Sequence, residues 1–252
     1  LNQGVHIVLG LFNSILINRF LGPSLKGEYA YVLNIVNMLA IVLNLGIYQS
    51  YSFYRRKGIP NIKEKYVDIF FMQFILYMLI GLGLSLFFQK IHLIVIFTLT
   101  PIMVFSSQLG FITLVENINL RNVLSMLSSV LYSLSLLLVY LYASARFSLI
   151  AGLLYFQEIS FLLLLIIMFR FRLHLNLKNI DYRLLKGTIA FGIYPMLVSI
   201  LTALNYRVDI LILKLFVSFE ELGYYTLGVG LATNVWIVPD AFKQVLFART
   251  AR

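Results

Sequence analysis

The 252-residue chain contains no cysteine. That excludes disulfides, thiolate nucleophiles and cysteine-type metal sites. Its three histidines, at positions 6, 92 and 174, are far apart in sequence. No metal and no cofactor is therefore expected. Charge is also scarce: Asp, Glu, Lys and Arg make up 12% of residues, about half the usual share of a soluble domain. Only ten residues are acidic, four of them Asp. No G-x-x-x-x-G-K-[ST] phosphate loop, G-x-S-x-G elbow, H-E-x-x-H pair or D-x-D occurs. The chain is accordingly expected not to hydrolyse ATP and not to be an enzyme.

What fills the space is apolar. Hydrophobic residues are 61% of the chain, and mean hydropathy is +0.91. So little polar surface cannot cover a soluble fold of this size, and the composition is the opposite of a disordered one. The charge-free runs are long enough to cross a bilayer core of about 30 Å as helices. They place about eight spans, at 4–21, 28–53, 67–88, 91–115, 123–142, 149–169, 188–215 and 223–242. Leu, Ile and Phe occupy all faces without period-2 alternation, which argues against a β-barrel. The expected class is an all-α polytopic membrane protein.

Charge is unevenly shared between the two ends of these spans. Net charge is +10, from 20 Lys and Arg against 10 Asp and Glu. Fourteen of the cations fall in the loops 54–66, 116–122 and 170–187 and at the C-terminal end, and five on the opposite side. The positive-inside rule then places the N-terminus and the 54–66 and 170–187 loops in the cytoplasm. The basic pI follows from this topology and from anionic membrane lipids, without nucleic acid.

The organisation suggests a repeat. Residues 12–29 (FNSILINRFLGPSLKGEY) echo residues 208–225 (VDILILKLFVSFEELGYY) at an offset of 196, with Phe20, Gly27 and Tyr29 matching Phe216, Gly223 and Tyr225. Six intervening spans preserve orientation, so the copies would be parallel repeats about an axis along the membrane normal. The expected organisation is a six-helix lobe over 1–169, a basic cytoplasmic linker over 170–187, and the first two helices of a second lobe over 188–252. In the turn of the first copy, Gly22-Pro23 ends a helix and Lys26-Gly27-Glu28 reverses the chain. Pro101, Pro195 and Pro239 are expected kinks. The chain begins with Leu and is expected to be a fragment of a longer protein.

The stretch RFLGPSLKGEYAYVLNIVNMLAIVLNLGIYQS (19–50) resembles the opening of the polysaccharide-export flippases of the multidrug/oligosaccharidyl-lipid/polysaccharide superfamily, often called Wzx or RfbX. The resemblance rests on Leu21-Gly22-Pro23, on Gly27-Glu28-Tyr29 and on Leu43-Asn44-Leu45-Gly46. Residues 206–249 look like the start of that family's second lobe, closing on Gln244-Val245-Leu246-Phe247. The resemblance implies a two-lobed transporter that carries undecaprenyl-diphosphate-linked oligosaccharide from the inner to the outer leaflet, for O-antigen, capsule or exopolysaccharide synthesis. It implies lipid-linked glycan and membrane lipids as partners, together with polysaccharide polymerase machinery. The lipid II branch carries an Arg-Asp pair near Asn13-Ser14, which this chain lacks.

Ionisable and polar side chains inside spans are the candidate functional residues, because each costs several kcal/mol unless it meets a cavity or partner. Arg207 and Asp209 in the seventh span point about 200° apart on a helix and cannot pair. Arg207 either lines a cavity, where its planar guanidinium suits a diphosphate, or snorkels to the headgroups. Asp209 either joins it as a cavity group or makes an inter-helix salt bridge. Asn13, Ser14 and Asn18 form a polar stripe with Asn34, Asn37 and Asn44, facing either sugar hydroxyls or neighbouring helices. Arg19 is either a cavity group or an interfacial anchor. Glu158 either binds a coupling cation or proton or joins two helices. Tyr48, Tyr51, Tyr54, Tyr140 and Tyr142 suit an interfacial belt.

Two other functions compete. A multidrug/cation antiporter of the same superfamily should carry acidic residues well inside its first lobe, and only Glu158 qualifies. A membrane O-antigen polymerase or ligase should carry a large outer loop with basic residues, and the longest one here is about eight residues.

Overall fold

The computed structural model describes residues 2–171, 173 and 182–233, with side chains from Val8 onward. Helices α1 (Asn2–Leu43), α2 (Tyr51–Arg56), α3 (Ile62–Phe87), α4 (Ile91–Glu116), α5 (Ile118–Tyr142), α6 (Phe147–Phe169), α7 (Tyr182–Leu213) and α8 (Phe219–Thr233) follow in chain order. A 3-10 turn, Ile47–Ser50, precedes α2. There is no strand among the described residues. Six of the helices, α1 and α3 to α7, are long and apolar enough to cross a membrane. The chain is an all-α polytopic membrane protein.

Three boundaries differ from the sequence expectation. The first expected span, 4–21, and the second up to Leu43 lie in one helix that breaks only at Gly22, with φ 66 and ψ 179. This conformation is nearly exclusive to glycine, so one residue suffices for the turn. Pro23 then starts the new arm, where its fixed φ and missing N–H are harmless. Lys26-Gly27-Glu28 is already helical and does not reverse the chain. The second arm ends at Leu43 rather than 53, because Leu45 and Gly46 take positive φ of 51 and 62. Helix α7 begins at Tyr182, so the end of the expected 170–187 linker is helical. Helices α4 and α7 continue through Pro101 and Pro195. Pro239, most of the linker and the chain after Thr233 lie outside the described residues.

Contacts fix how the helices run. Glu28 meets His92 at the start of α4, Asn44 meets Ser107 further along it, and Tyr51 meets Glu116 at its end. The second arm of α1 therefore runs beside α4 in the same direction. The first arm folds back at Gly22. Its Leu16, Ile17 and Leu21 share a core cluster with Tyr29, Val32 and Val36 of the second arm and with the adjoining ends of α4, α5 and α6. Phe20 packs against Tyr140 at the end of α5. Helix α4 is the most buried of the six spans and forms the centre of the bundle. Around its far end a second cluster joins Tyr51, Tyr66, Phe70, Phe105 and Leu109. Tyr51 is thus fully buried rather than interfacial, whereas Tyr142 is exposed.

One end of the bundle holds the Gly22 turn, His92 and Tyr140. The other holds Arg55, Lys63, Arg121, Arg170, Arg183 and Lys186, by the positions of these residues at helix ends. This second end is called the basic end below.

Helices α7 and α8 dock on the second arm of α1 through backbone-to-backbone contact. A Cβ on Gly46 would overlap the Gly192 carbonyl, and one on Gly192 would overlap the Leu45 carbonyl. Further along, Asn34 Nδ2 donates to the Arg207 carbonyl at 3.0 Å. Near the Gly22 turn, a Cβ on Gly27 would overlap the Phe219 carbonyl, and one on Gly223 would overlap the Pro23 carbonyl. Under the offset of 196, Gly27 maps to Gly223 and Pro23 to Phe219. The two close contacts therefore exchange with one another, as contacts across a local two-fold axis do. The same offset superposes the starts of the two helical segments, Pro23 and Phe219.

Candidate functional site

The second arm of α1, α4 and α7 line a half-open cavity of about 280 Å³ with several polar groups on its wall. Its wall carries Asn37, Ala40, Ile41 and Asn44 from α1, Gly46, Tyr48 and Gln49 from the following turn, Met103 and Ser107 from α4, and Met196, Ser199 and Arg207 from α7. Arg207 is exposed, and it also lines an adjoining, mainly apolar space of about 750 Å³ between α7 and α8. Val198, Ala203, Ile210 and Val229 line that second space. The wall of the polar cavity offers one cation, several amides and hydroxyls, and no carboxylate among the described residues.

An amide network supports this wall. Asn44 Nδ2 donates to Ser107 Oγ at 2.9 Å. Gln108 Nε2 donates to Asn44 Oδ1 at 3.1 Å and to Gln73 Oε1 at 2.8 Å. Gln73 Nε2 in turn donates to the Leu43 carbonyl at 2.7 Å, and Tyr77 donates to the same carbonyl at 3.1 Å. The network satisfies a carbonyl that the broken helix end leaves free and locks the Asn44 rotamer. Gln73 and Gln108 are buried, and the Gln108 Oε1 has no protein partner. Sequence reasoning passed over both glutamines, together with Gln49, Ser107 and Ser199. The available signal was an uncharged amide inside a charge-free span, which composition counts as neutral.

The sequence candidates separate in space. Arg207 and Asn37 meet at the cavity, joined by Asn44. Asn34 is buried and serves the α1–α7 contact instead. Asp209 accepts a hydrogen bond from the Tyr225 hydroxyl of α8, so its inter-helix partner is a neutral phenol rather than a cation. Asn13, Ser14 and Arg19 are absent from the cavity wall. Ser14 and Arg19 are exposed, while the Asn13 Oδ1 is buried without a protein partner. Glu158 lies at the middle of α6 and accepts from Ser106 Oγ at 2.7 Å, on the α4–α6 contact. Ser107, the next residue on α4, faces the cavity.

At the basic end, Glu116 accepts from Arg55 Nη2 at 2.7 Å, from Arg55 Nε and from the buried Tyr51 hydroxyl. These bonds with Glu116 raise the Arg55 pKa above its ordinary value. The arrangement ties α2 to the end of α4.

No family model, no curated protein and no solved structure matches the chain.

Proposed function

We propose that the protein is a transporter, not an enzyme, that moves an undecaprenyl-diphosphate-linked oligosaccharide from the basic-end leaflet to the opposite one. The observation that carries this reading is Arg207: an exposed arginine on the wall of a cavity in a membrane bundle, beside amides and hydroxyls, with no carboxylate on that wall among the described residues. A planar bidentate donor suits a diphosphate, the one multiply charged part of such a cargo. Asn37, Asn44 and Gln49 each give one amide hydrogen to a neighbour, and the remaining donor and acceptor capacity of these amides on the wall suits sugar hydroxyls. The adjoining apolar space suits the start of the lipid tail.

On this reading the basic end faces the cytoplasm, beneath a bacterial or archaeal plasma membrane, and the N-terminus lies on the same side. The sequence resemblance to polysaccharide-export flippases points to the same cargo. Helices α7 and α8 would open a second lobe related to the first by the 196-residue repeat, and rocking of the lobes would give alternating access. Glu158 is the candidate for an ion-coupling group. A multidrug/cation antiporter ranks second, because the cavity wall offers a cation where such cargo needs an anion.

A leaflet-sidedness assay tests the proposal. Lipid-linked glycan is measured on each face of the membrane in a deletion strain carrying the full-length gene, wild type or Arg207→Ala. Accumulation on the inner face with Arg207→Ala, at normal protein level, supports the reading. Equal export by both removes it.

A further inference from the structure

At the basic end, α3 begins and α6 ends beside a separate cavity of about 350 Å³, lined by Lys63, Glu64, Val67, Arg170 and Phe171. The spans Ile62–Phe87 and Phe147–Phe169 leave the hydrocarbon at this point, so the cavity stands at the level of the lipid headgroups. Arg170 ends α6 in a left-handed conformation, φ 49 and ψ 46, which disfavours any residue with a Cβ and is usually left to glycine. Its N–H donates to the Ile167 carbonyl at 3.3 Å, and the Phe171 N–H donates to the Ile166 carbonyl at 3.1 Å. This turn buries Phe171 in the core and leaves Arg170 exposed on the cavity wall.

The same turn positions Lys63. Its Nζ lies 4.8 Å from the Phe171 ring centroid and 5.8 Å from that of Phe169, and the two rings stack with centroids 5.8 Å apart. A cation–π contact holds the ammonium in place without neutralising it. Among the described residues no salt bridge reaches Lys63, Glu64 or Arg170. The wall therefore offers two cations and one carboxylate, next to the apolar Val67 and Phe171. Such a charge set discriminates among phospholipids. A wall of cations alone favours multiply anionic headgroups. A carboxylate beside the cations opposes those, and fits a headgroup that carries an ammonium next to its phosphate.

We propose that this cavity binds one phosphatidylethanolamine of the basic-end leaflet, with its phosphate on Lys63 and Arg170 and its ammonium on Glu64. The Arg170 guanidinium grips phosphate oxygens in pairs, and Lys63 adds a point charge. The ammonium brings three N–H donors to the Glu64 carboxylate. Val67 and Phe171 suit the apolar start of the acyl chains. The site also gives a reason for an arginine in a left-handed position: glycine would relieve the backbone and forfeit the guanidinium. It is distinct from the cavity between α1, α4 and α7 and does not depend on what that cavity carries.

Native mass spectrometry tests the site on the full-length protein, stripped of lipid in detergent and titrated with defined phospholipids. The wild type should retain one phosphatidylethanolamine in preference to phosphatidylglycerol, and inorganic phosphate should not displace it. Arg170→Gly removes the guanidinium and relieves the backbone. The lipid-free Tm should hold, while retention of phosphatidylethanolamine falls about tenfold with the loss of a charge-assisted hydrogen bond. Glu64→Gln should erase the preference, weakening phosphatidylethanolamine and strengthening phosphatidylglycerol. If Arg170 serves only the helix end, Arg170→Gly leaves lipid retention unchanged, and that result overturns the proposal. A wild-type preference for phosphatidylglycerol, or displacement by inorganic phosphate, overturns it as well, and neither arm needs a variant.

Discussion

Asn34 Nδ2 hydrogen-bonds the backbone carbonyl of Arg207, a residue on the cavity wall. The main chain of Arg207 is thus tied to α1 while its guanidinium remains available. Position 207 does two separable things, one through its backbone and one through its side chain.

The first expectation uses that separation. Arg207→Ala keeps the carbonyl that Asn34 holds, so the protein should insert and accumulate normally. On the proposed function, removing one charge-assisted hydrogen bond to a phosphate weakens binding by about 2–3 kcal/mol, on the order of a hundredfold. Export should collapse with Ala and recover only in part with Lys, which keeps the charge and loses the fork. Asn34→Leu should do the reverse and lower abundance more than export per molecule. Immunoblots and glycan export measured together separate the two.

Orientation has a direct measurement. On the background without native cysteine, Arg56→Cys at the basic end should resist an impermeant thiol reagent in intact cells. Ser24→Cys, exposed in the Gly22 turn, should label. Labelling of Arg56→Cys alone would invert the topology.

Glu116 holds a buried phenol and a half-exposed guanidinium at once. Glu116→Gln keeps an acceptor for Tyr51 and loses only the ion pair, at a cost under about 1 kcal/mol. Glu116→Ala strands the Tyr51 hydroxyl in the interior, at about 1–3 kcal/mol. The order of Tm in detergent should be wild type, Gln, Ala. Tyr51→Phe should recover part of the Ala loss, since the two residues share one bond.

The start of α8 carries a reciprocal cap. The Ser218 N–H donates to Glu221 Oε2 at 2.8 Å, and the Glu221 N–H donates to Ser218 Oγ at 3.2 Å. Hydrogen bonds from the Ser218 backbone and then its hydroxyl hold the Glu221 pKa below the ordinary glutamate value. A lowered folded-state pKa means the cap is complete at neutral pH. It persists through the usual glutamate range and is lost as pH falls through the lowered value. Ser218→Ala should remove about 1 kcal/mol from the first turn of α8. Faster amide exchange at Glu221 and Leu222 would register the loss, and acidification should reproduce part of it in the wild type.

Hydrophobic run length made the class and most span positions legible in the sequence, because a bilayer demands that property of every span. The expected 91–115 and observed Ile91–Glu116 agree to a residue. Where torsion angles rather than hydropathy set an end, the reading slipped. Leu45 in a left-handed conformation closes a helix that the apolar pattern continues to 53. The cavity was legible in part. Arg207 stood out because a charge in a span is conspicuous, whereas Gln73 and Gln108 carry none. The stripe of asparagines dispersed because Asn34 and Asn37, three residues apart, serve different neighbours: a backbone carbonyl of α7 and the cavity.

The two helix starts matched by the offset of 196 are held by unlike means. At position 22 the turn depends on a backbone conformation nearly closed to side chains, while at position 218 it depends on side-chain hydrogen bonds. These impose unequal freedom on later sequence change. A library randomised at position 22 should return glycine almost alone. One randomised at 218 should return Ser, Thr, Asp and Asn, any of which can cap α8. The chain is therefore brittle at the first of these turns and forgiving at the second, and sequence change should collect at 218 rather than at 22.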